Sequence, residues 1–343
     1  MLTLFMGKFY ATLGISFLVL LLINIIWLIF NLILWSVDGL QILLQGMNFV
    51  ERVYYSTLFK WIILADLIWF SFALVFAFSR KYYKTGDSYY LDYNPIADPK
   101  ISVIIPTYNE EQNVEHVVND YKKLKFVNEV FVIDNHSSDN TVEIAKKVGA
   151  TVIVKPINKG FADSCILGFE KSLKSDSDII VLTDCDRTFS AYDVNKMVPY
   201  LDNCDMVVGT RLIQVLLERG NQNGMFNTWG NFFIAKLIQL KYFSLLHMGV
   251  VSLTDVGCAH RCIRRESLEK MLVDIKNDYK KDFDKDGWLF LPYLNMRGIE
   301  SGLKIVEIPI TFKKRLGQSK SGAQKKSKGF KIGLRFIWFI LKR

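Results

Sequence analysis

Ile179-Ile180-Val181-Leu182-Thr183-Asp184-Cys185-Asp186 is an apolar run that ends in two carboxylates one residue apart. The run has the length and branching of a buried strand. Upstream, the same kind of run recurs at Ile101-Ser102-Val103-Ile104-Ile105, Val130-Phe131-Val132-Ile133 and Thr151-Val152-Ile153-Val154. Between these runs lie three stretches with helical periodicity: residues 111–124, 140–148 (stopped by Gly149) and 161–173. Alternating strands and helices of these lengths predict an α/β fold around a mostly parallel sheet. Ligands of such sheets sit at the carboxyl ends of the strands. The unusual polar residues fall there: Thr107-Tyr108-Asn109-Glu110, Asp134-Asn135-His136, Lys155-Pro156-Ile157-Asn158, and Asp184-Cys185-Asp186.

Bare carboxylates as close as Asp184 and Asp186 repel. A hard divalent cation, Mg2+ or Mn2+, removes that repulsion and keeps coordination positions open for water and diphosphate oxygens. A cation so held would neutralise a departing nucleoside diphosphate. Tyr108 can stack on a base, and Asp134 can accept a base N–H. Asp139 precedes a helix and is better suited to capping it. Lys159 faces either phosphate or solvent.

These segments, in this order, resemble glycosyltransferase family 2. Val103-Ile104-Ile105-Pro106-Thr107-Tyr108-Asn109-Glu110 resembles the family's opening strand and nucleotide loop. Ile133-Asp134-Asn135-His136-Ser137-Ser138-Asp139-Asn140-Thr141 is similar to its Asp-Asp-Gly-Ser-x-Asp-x-Thr stretch, with Asn135-His136 in place of the usual Asp-Gly. Asn158-Lys159-Gly160 resembles its Asn-x-Gly turn, and Asp184-Cys185-Asp186 its metal motif. The resemblance implies a GT-A nucleotide-sugar-binding domain over residues 100–320. It also implies nucleotide contacts from Pro106, Tyr108, Glu110, Asp134, Lys159 and Asp184, and metal ligation by Asp184 and Asp186.

Further on, Gly209-Thr210-Arg211 resembles the Gly-Ser-Arg of polyprenyl- and dolichyl-phosphate mannose or glucose synthases. The stretch from Ile308 to Lys320 resembles their Pro-(Ile/Val)-x-Phe-x-x-Arg-x-x-Gly-x-Ser-Lys segment, and that from Asp255 to Arg261 has a looser counterpart. The expected reaction moves a hexose from a nucleotide-sugar of the GDP-mannose or UDP-glucose type to a polyprenyl or dolichyl phosphate, with inversion. Asp184, Asp186 and Arg211 would be catalytic, and Arg211, Arg315 and Lys320 would form the acceptor-phosphate pocket, since guanidinium forks suit phosphate oxygens. An ionised phosphate needs only positioning, whereas a hydroxyl acceptor needs a general base. Asp255, Asp284 or Asp286 would supply that base in the alternative, transfer to a lipid or glycan hydroxyl. Gln-x-x-Arg-Trp, the mark of processive relatives, is absent from the sequence. A binding or regulatory protein without turnover would not need to keep both Asp184 and Asp186, and a scaffold that recruits partners through a membrane hairpin would not need the nucleotide loop.

Half of the 343 residues are hydrophobic and mean hydropathy is +0.18, with the excess concentrated before residue 81. No charge occurs in residues 9–37, and Asp66 alone interrupts residues 61–79. Two membrane spans are therefore expected, at about residues 11–35 and 58–79, forming a hairpin over residues 1–81 that is followed by a linker over 82–99. Lys8, Arg80, Lys81 and Lys84 flank the hairpin, whereas residues 38–56 carry Arg52 alone as a basic residue. The positive-inside bias then predicts an integral membrane protein with its catalytic domain on the cytoplasmic side.

Residues 313–343 hold eleven Lys or Arg and no acid, so the net +9 leaves +9 − 11 = −2 for the rest. The tail, residues 321–343, has the spacing of a basic amphipathic helix whose apolar side holds Phe330, Leu334, Ile337, Trp338 and Leu341. It predicts contact with membrane lipids rather than nucleic acid. The five cysteines form no CxxC pair and are expected to be buried thiols, and four scattered histidines offer no zinc site.

Overall fold

The computed structural model describes residues 93–242, 252–282, 287–317 and 326–343, with Ile26, Ile29 and a few positions between residues 61 and 71. Asp284, Asp286 and Lys320 lie outside the described residues. The chain divides into two compact units. One comprises Met1–Tyr82, Lys241–Met248 and Leu341–Arg343; the other, Tyr83–Leu240 and Gly249–Ile340, holds the sheet.

The first half alternates as the hydrophobic pattern predicts. β1 (Ile101–Thr107) is buried along its whole length and leads to α1 (Val114–Lys122). β2 (Val127–Asp134), α2 (Thr141–Lys147), β3 (Thr151–Val154), α3 (Phe161–Ser172) and β4 (Ile179–Leu182) follow. α1 turns Val114, Val117, Val118 and Tyr121 to the core, the i, i+3, i+4, i+7 stripe of an amphipathic helix. α3 lies close over β1, and the absence of a side chain at Gly168 permits it: a Cβ there would collide with Ile104.

The second half continues with the single turn α4 (Val194–Met197), β5 (Met206–Thr210), α5 (Met225–Tyr242), β6 (Arg261–Arg264) and α6 (Arg265–Asp282). It ends in α7 (Phe290–Glu300), β7 (Ile305–Pro309) and α8 (Lys326–Lys342). The seven strands form one sheet in the order β3-β2-β1-β4-β6-β5-β7. All pairings are parallel except those of β6, which runs antiparallel to both β4 and β5. The sheet is thus mixed, with one reversed strand in its interior, next to the central β4. The start of β6 therefore lies at the edge where β4 and β5 end.

Two expectations require correction. Among the described residues no helix is long and apolar enough to cross a membrane. The two-span hairpin is therefore not supported, and the integral-membrane placement with a cytoplasmic catalytic domain falls with it. Residues 11–35 and 58–79 lie largely outside the described residues. An apolar run supplies the composition a span needs, but it does not by itself supply one continuous helix of that length.

Candidate functional site

β1 and β2 deliver the nucleotide end. Pro106 and Thr107 close β1 opposite Ile133 and Asp134 of β2. The next residues leave the sheet: Tyr108 is an exposed ring, and Asn109 takes a left-handed φ of 52°. Asn109 ties the two loops together, because its N–H donates to Ser137 Oγ (2.9 Å) and its Oδ1 accepts from the Ser138 N–H (2.8 Å). The Glu110 N–H donates to Thr141 Oγ1 (2.8 Å), and the Glu110 carboxylate accepts from Asn113 Nδ2 (2.7 Å). Asp134 is fully buried. Its Oδ2 accepts from the Ser137 N–H (3.0 Å), while Oδ1 has no partner. A buried carboxylate oxygen without a donor is costly, and a base N–H would satisfy it.

The substitution of Asn135-His136 for Asp-Gly has a local account. His136 adopts φ 67°, the left-handed region where glycine is the usual occupant. Asn135 bridges loops: its Nδ2 donates to Asn158 Oδ1 (2.7 Å), and its Oδ1 accepts from Lys155 Nζ (2.7 Å) and the Lys159 N–H (3.1 Å). Lys155 is buried and ion-paired with Asp163 (2.7 Å). A carboxylate at 135 would lose the donor to Asn158, so the amide suits this packing. Lys159 contributes its backbone here, with its side chain exposed. Asp139 stands one residue before Asn140, the N-cap of α2, and accepts from the Thr141 N–H (3.1 Å) and Thr141 Oγ1 (2.5 Å) at the start of the helix.

β4 delivers the two carboxylates. Asp186 is buried and oriented: Oδ1 accepts from the Thr188 N–H (3.1 Å) and Thr188 Oγ1 (2.5 Å), and Oδ2 is ion-paired with Arg315. Asp184 has its carboxyl pushed up to about 7, first by burial and then by the charge of Asp186, against the pull of Arg315 and Arg211. The part of that push that comes from Asp186 is the repulsion a cation would relieve. Both donors are hard oxygens, and among the described residues no third His, Cys, Asp or Glu joins them in a metal-holding group. The pair therefore fits a divalent ion whose other ligands come from substrate and water.

β5 and the start of β6 deliver the cationic side. Arg211 makes a fork on Asp255, with Nε to Oδ2 at 2.6 Å and Nη2 to Oδ1 at 2.7 Å, and its N–H also donates to Oδ2 (3.1 Å). Burial alone would lower the Arg211 pKa, but the charge and hydrogen bonds of Asp255 outweigh it and raise it further. The guanidinium also lies over the Phe312 ring, 5.2 Å from its centroid. Asp255 is nearly inaccessible, and both of its oxygens are engaged. Of the three expected acceptor-pocket residues, Arg211 and Arg315 thus converge on the end of β4, and Lys320 is outside the described residues.

The family model for glycosyl transferase family 2 matches residues 102–272. Protein RfbJ of Shigella flexneri is 37% identical over 125 residues, covering 36% of this chain and 90% of that protein. The chain belongs to glycosyl transferase family 2. As such it is a nucleotide-sugar-dependent glycosyltransferase. Polyprenol monophosphomannose synthase of Mycolicibacterium smegmatis is 27% identical over 67% of this chain and 84% of that protein. The solved structure of glucosyl-3-phosphoglycerate synthase from Mycobacterium tuberculosis with phosphoglyceric acid aligns with a TM-score of 0.46 and 18% identity, over 71% of this chain and 79% of that one.

Sequence reasoning about this glycosyltransferase missed several residues at the site. Thr188 follows the metal motif closely enough to be a visible capping signal. Lys155 and Asn135 sit in polar runs at strand ends, which signal a site but not the bond between these two side chains. Glu307, which accepts from the Thr254 N–H (2.7 Å) and the Asp255 N–H (3.0 Å), carries no local signal at all.

Proposed function

We propose that the chain moves a hexose from a nucleotide-sugar of the GDP-mannose or UDP-glucose type to a polyprenyl or dolichyl phosphate. The observation that carries this reading is the meeting of two guanidiniums with two carboxylates at the end of β4: Arg315 on Asp186, and Arg211 close enough to act on Asp184. The name of the M. smegmatis relative supports the acceptor class.

On the donor side, Asp134 Oδ1 accepts a base N–H, Tyr108 offers its exposed ring to the base, and Pro106 and Glu110 border the ribose. Asp184 and Asp186 hold Mg2+ or Mn2+, which when bound neutralises the diphosphate as it leaves. On the acceptor side, Arg211 and Arg315 bind the lipid phosphate, with Lys320 extending the same segment. One phosphate oxygen attacks the anomeric carbon from the face opposite the diphosphate. The new C–O bond forms as the old one breaks, and the configuration inverts. No proton has to be removed from an ionised phosphate. Asp255 is committed to Arg211 by both oxygens, which suits it to orienting a cation rather than to acting as a base.

Contact with lipid headgroups is assigned to α8. Lys331, Leu334, Arg335 and Trp338 are exposed there, whereas Phe339 and Ile340 are buried and Phe339 packs edge-on against Tyr293 of α7.

The test is mass spectrometry of lipid products after incubation with a panel of nucleotide-sugars and either polyprenyl phosphate or the corresponding free alcohol. A hexose-1-phosphoryl-linked product from the phosphate alone is expected. Transfer to the alcohol, with the phosphate unused, would overturn the reading.

A further inference from the structure

Arg261 is the largest fully buried side chain among the described residues. It stands at the first position of β6, beside Leu182 of β4 and Val208 of β5, two residues before Asp184 and three before Arg211 respectively. Its Nη2 donates to the Cys258 carbonyl (2.6 Å) and its Nη1 to Asn295 Oδ1 (3.2 Å), while Nε has no partner. Among the described residues no carboxylate lies within ion-pair distance of it. Asn295 is itself fully buried, with its Nδ2 unpartnered. A buried guanidinium without a counter-ion is strongly unfavourable, and an apolar side chain of similar volume is commonly at least as stable in such a place. Stability alone gives no reason for an arginine here.

The turn it touches gives one. Residues 254–258 carry Asp255, the partner of Arg211, and the turn is held at both ends. At the near end Glu307 accepts from the Thr254 N–H (2.7 Å), Thr254 Oγ1 (2.6 Å) and the Asp255 N–H (3.0 Å). At the far end Arg261 holds the Cys258 carbonyl. Between them Gly257 lies against Arg211: a Cβ there would stand 3.1 Å from Arg211 Nη2 and 3.0 Å from Asn231 Oδ1. A shift of the turn by a few tenths of an ångström would therefore move Asp255 and crowd the head of Arg211 together.

We propose that Arg261 is a positioning residue: through the Cys258 carbonyl it fixes the turn that aims Arg211 at the acceptor phosphate. The inference rests on the assignment of Arg211 to the acceptor. It deepens that assignment by naming what holds Arg211 in place from within the sheet.

The experiment is a double-mutant cycle on the full chain with Arg261→Met and Arg211→Gln. Each variant is scored as kcat/KM for polyprenyl phosphate per molecule that still binds nucleoside diphosphate. Arg211→Gln is expected to cost about ten- to a hundredfold, as for loss of a charged hydrogen bond. Arg261→Met is expected to cost about tenfold in kcat/KM while nucleoside diphosphate affinity changes by less than about twofold, and to add less than about twofold on top of Arg211→Gln. Full multiplication of the two losses in the double variant would overturn the proposal, as would Arg261→Met at wild-type efficiency. Arg211→Gln at wild-type efficiency would instead remove the acceptor reading on which it rests. Arg261→Lys retains one donor for the Cys258 carbonyl and serves if the methionine variant does not fold. It should recover donor binding and most of the acceptor efficiency, and intact donor binding with about tenfold loss of acceptor use would count against the turn.

Discussion

Replacing Asp255 with asparagine separates an orienting carboxylate from a catalytic base. The native carboxylate receives three hydrogen bonds from Arg211, at 2.6, 2.7 and 3.1 Å, and is about 1% exposed. Asparagine keeps the volume and one acceptor oxygen, but it turns an NH2 group toward guanidinium protons and leaves a buried cation without its counter-charge. Breaking a buried pair by removing one partner costs about 3–5 kcal/mol, and the surviving acceptor places this change at about 3 kcal/mol. For a folded unit of this size, that corresponds to a drop of roughly 6–12 °C in Tm. Scanning calorimetry of Asp255→Asn, Arg211→Gln and the double variant measures it. Each single change should destabilise, and the double variant should lose clearly less than the sum. Among molecules that remain folded, Asp255→Asn should retain measurable transfer, because the arginine is misplaced but no proton acceptor has been lost. An Asp255→Asn protein with unchanged Tm, normal nucleotide binding and no turnover would refute the reasoning and identify the residue as a general base.

The metal motif makes three further predictions. Asp184→Asn should abolish transfer at saturating Mg2+ or Mn2+ with Tm preserved, and turnover that survives both this change and a chelator would remove the cation from the reaction. Asp184 keeps a proton between about pH 4 and 7 in the folded, cation-free chain that the unfolded chain has already released. Its stabilising contribution is therefore present below about pH 4 and is lost as pH rises through about 7; Tm against pH in chelator should show this decline, and Asp184→Asn should flatten it. Arg315→Gln should lower acceptor kcat/KM about ten- to a hundredfold. It should also tighten cation binding to the nucleotide-free protein, since Arg315 no longer competes for Asp186; calorimetric titration with Mn2+ checks this.

The donor half was legible because its signals are local. Each strand from β1 to β4 is a short apolar run, each helix has a stripe, and the site residues sit at the carboxyl end of a strand or in the loop that follows it. His136 shows where such legibility thins: sequence flags the missing glycine, but only the backbone at φ 67° shows that the turn is kept. The second half was legible mainly through resemblance. β6, Arg261-Cys262-Ile263-Arg264, has a charge at each end and no alternation, so its reversal within the sheet has no signature in its own residues. The Arg211–Asp255 fork joins residues 44 apart, and the Arg315–Asp186 pair joins residues 129 apart. Such pairings are written in tertiary packing. Arg315 was expected at the acceptor phosphate, and its resting contact with the metal motif could not be read from the tail's charge. The expected spans at residues 11–35 and 58–79 lie largely outside the described residues, among which no helix is long and apolar enough to cross a membrane.

The reversed strand also sorts the chain into exchangeable parts. Because β6 enters the sheet from the edge that β4 and β5 leave by, the residues proposed for the donor all come from one unbroken stretch ending near residue 188. The groups assigned to the acceptor all come from residues 211–320. Recombination at the connection between β4 and α4 would pass on the proposed donor module and replace the acceptor module as a block, with the β4–β6 ladder, the Arg265 contacts to the carbonyls of Leu173, Ser175 and Ser177, and the Lys276–Glu170 pair as seams to be matched. Chimeras between such proteins should inherit nucleotide preference from their first half and acceptor preference from their second. One fold could diversify its products in this way without rebuilding the centre that releases the diphosphate.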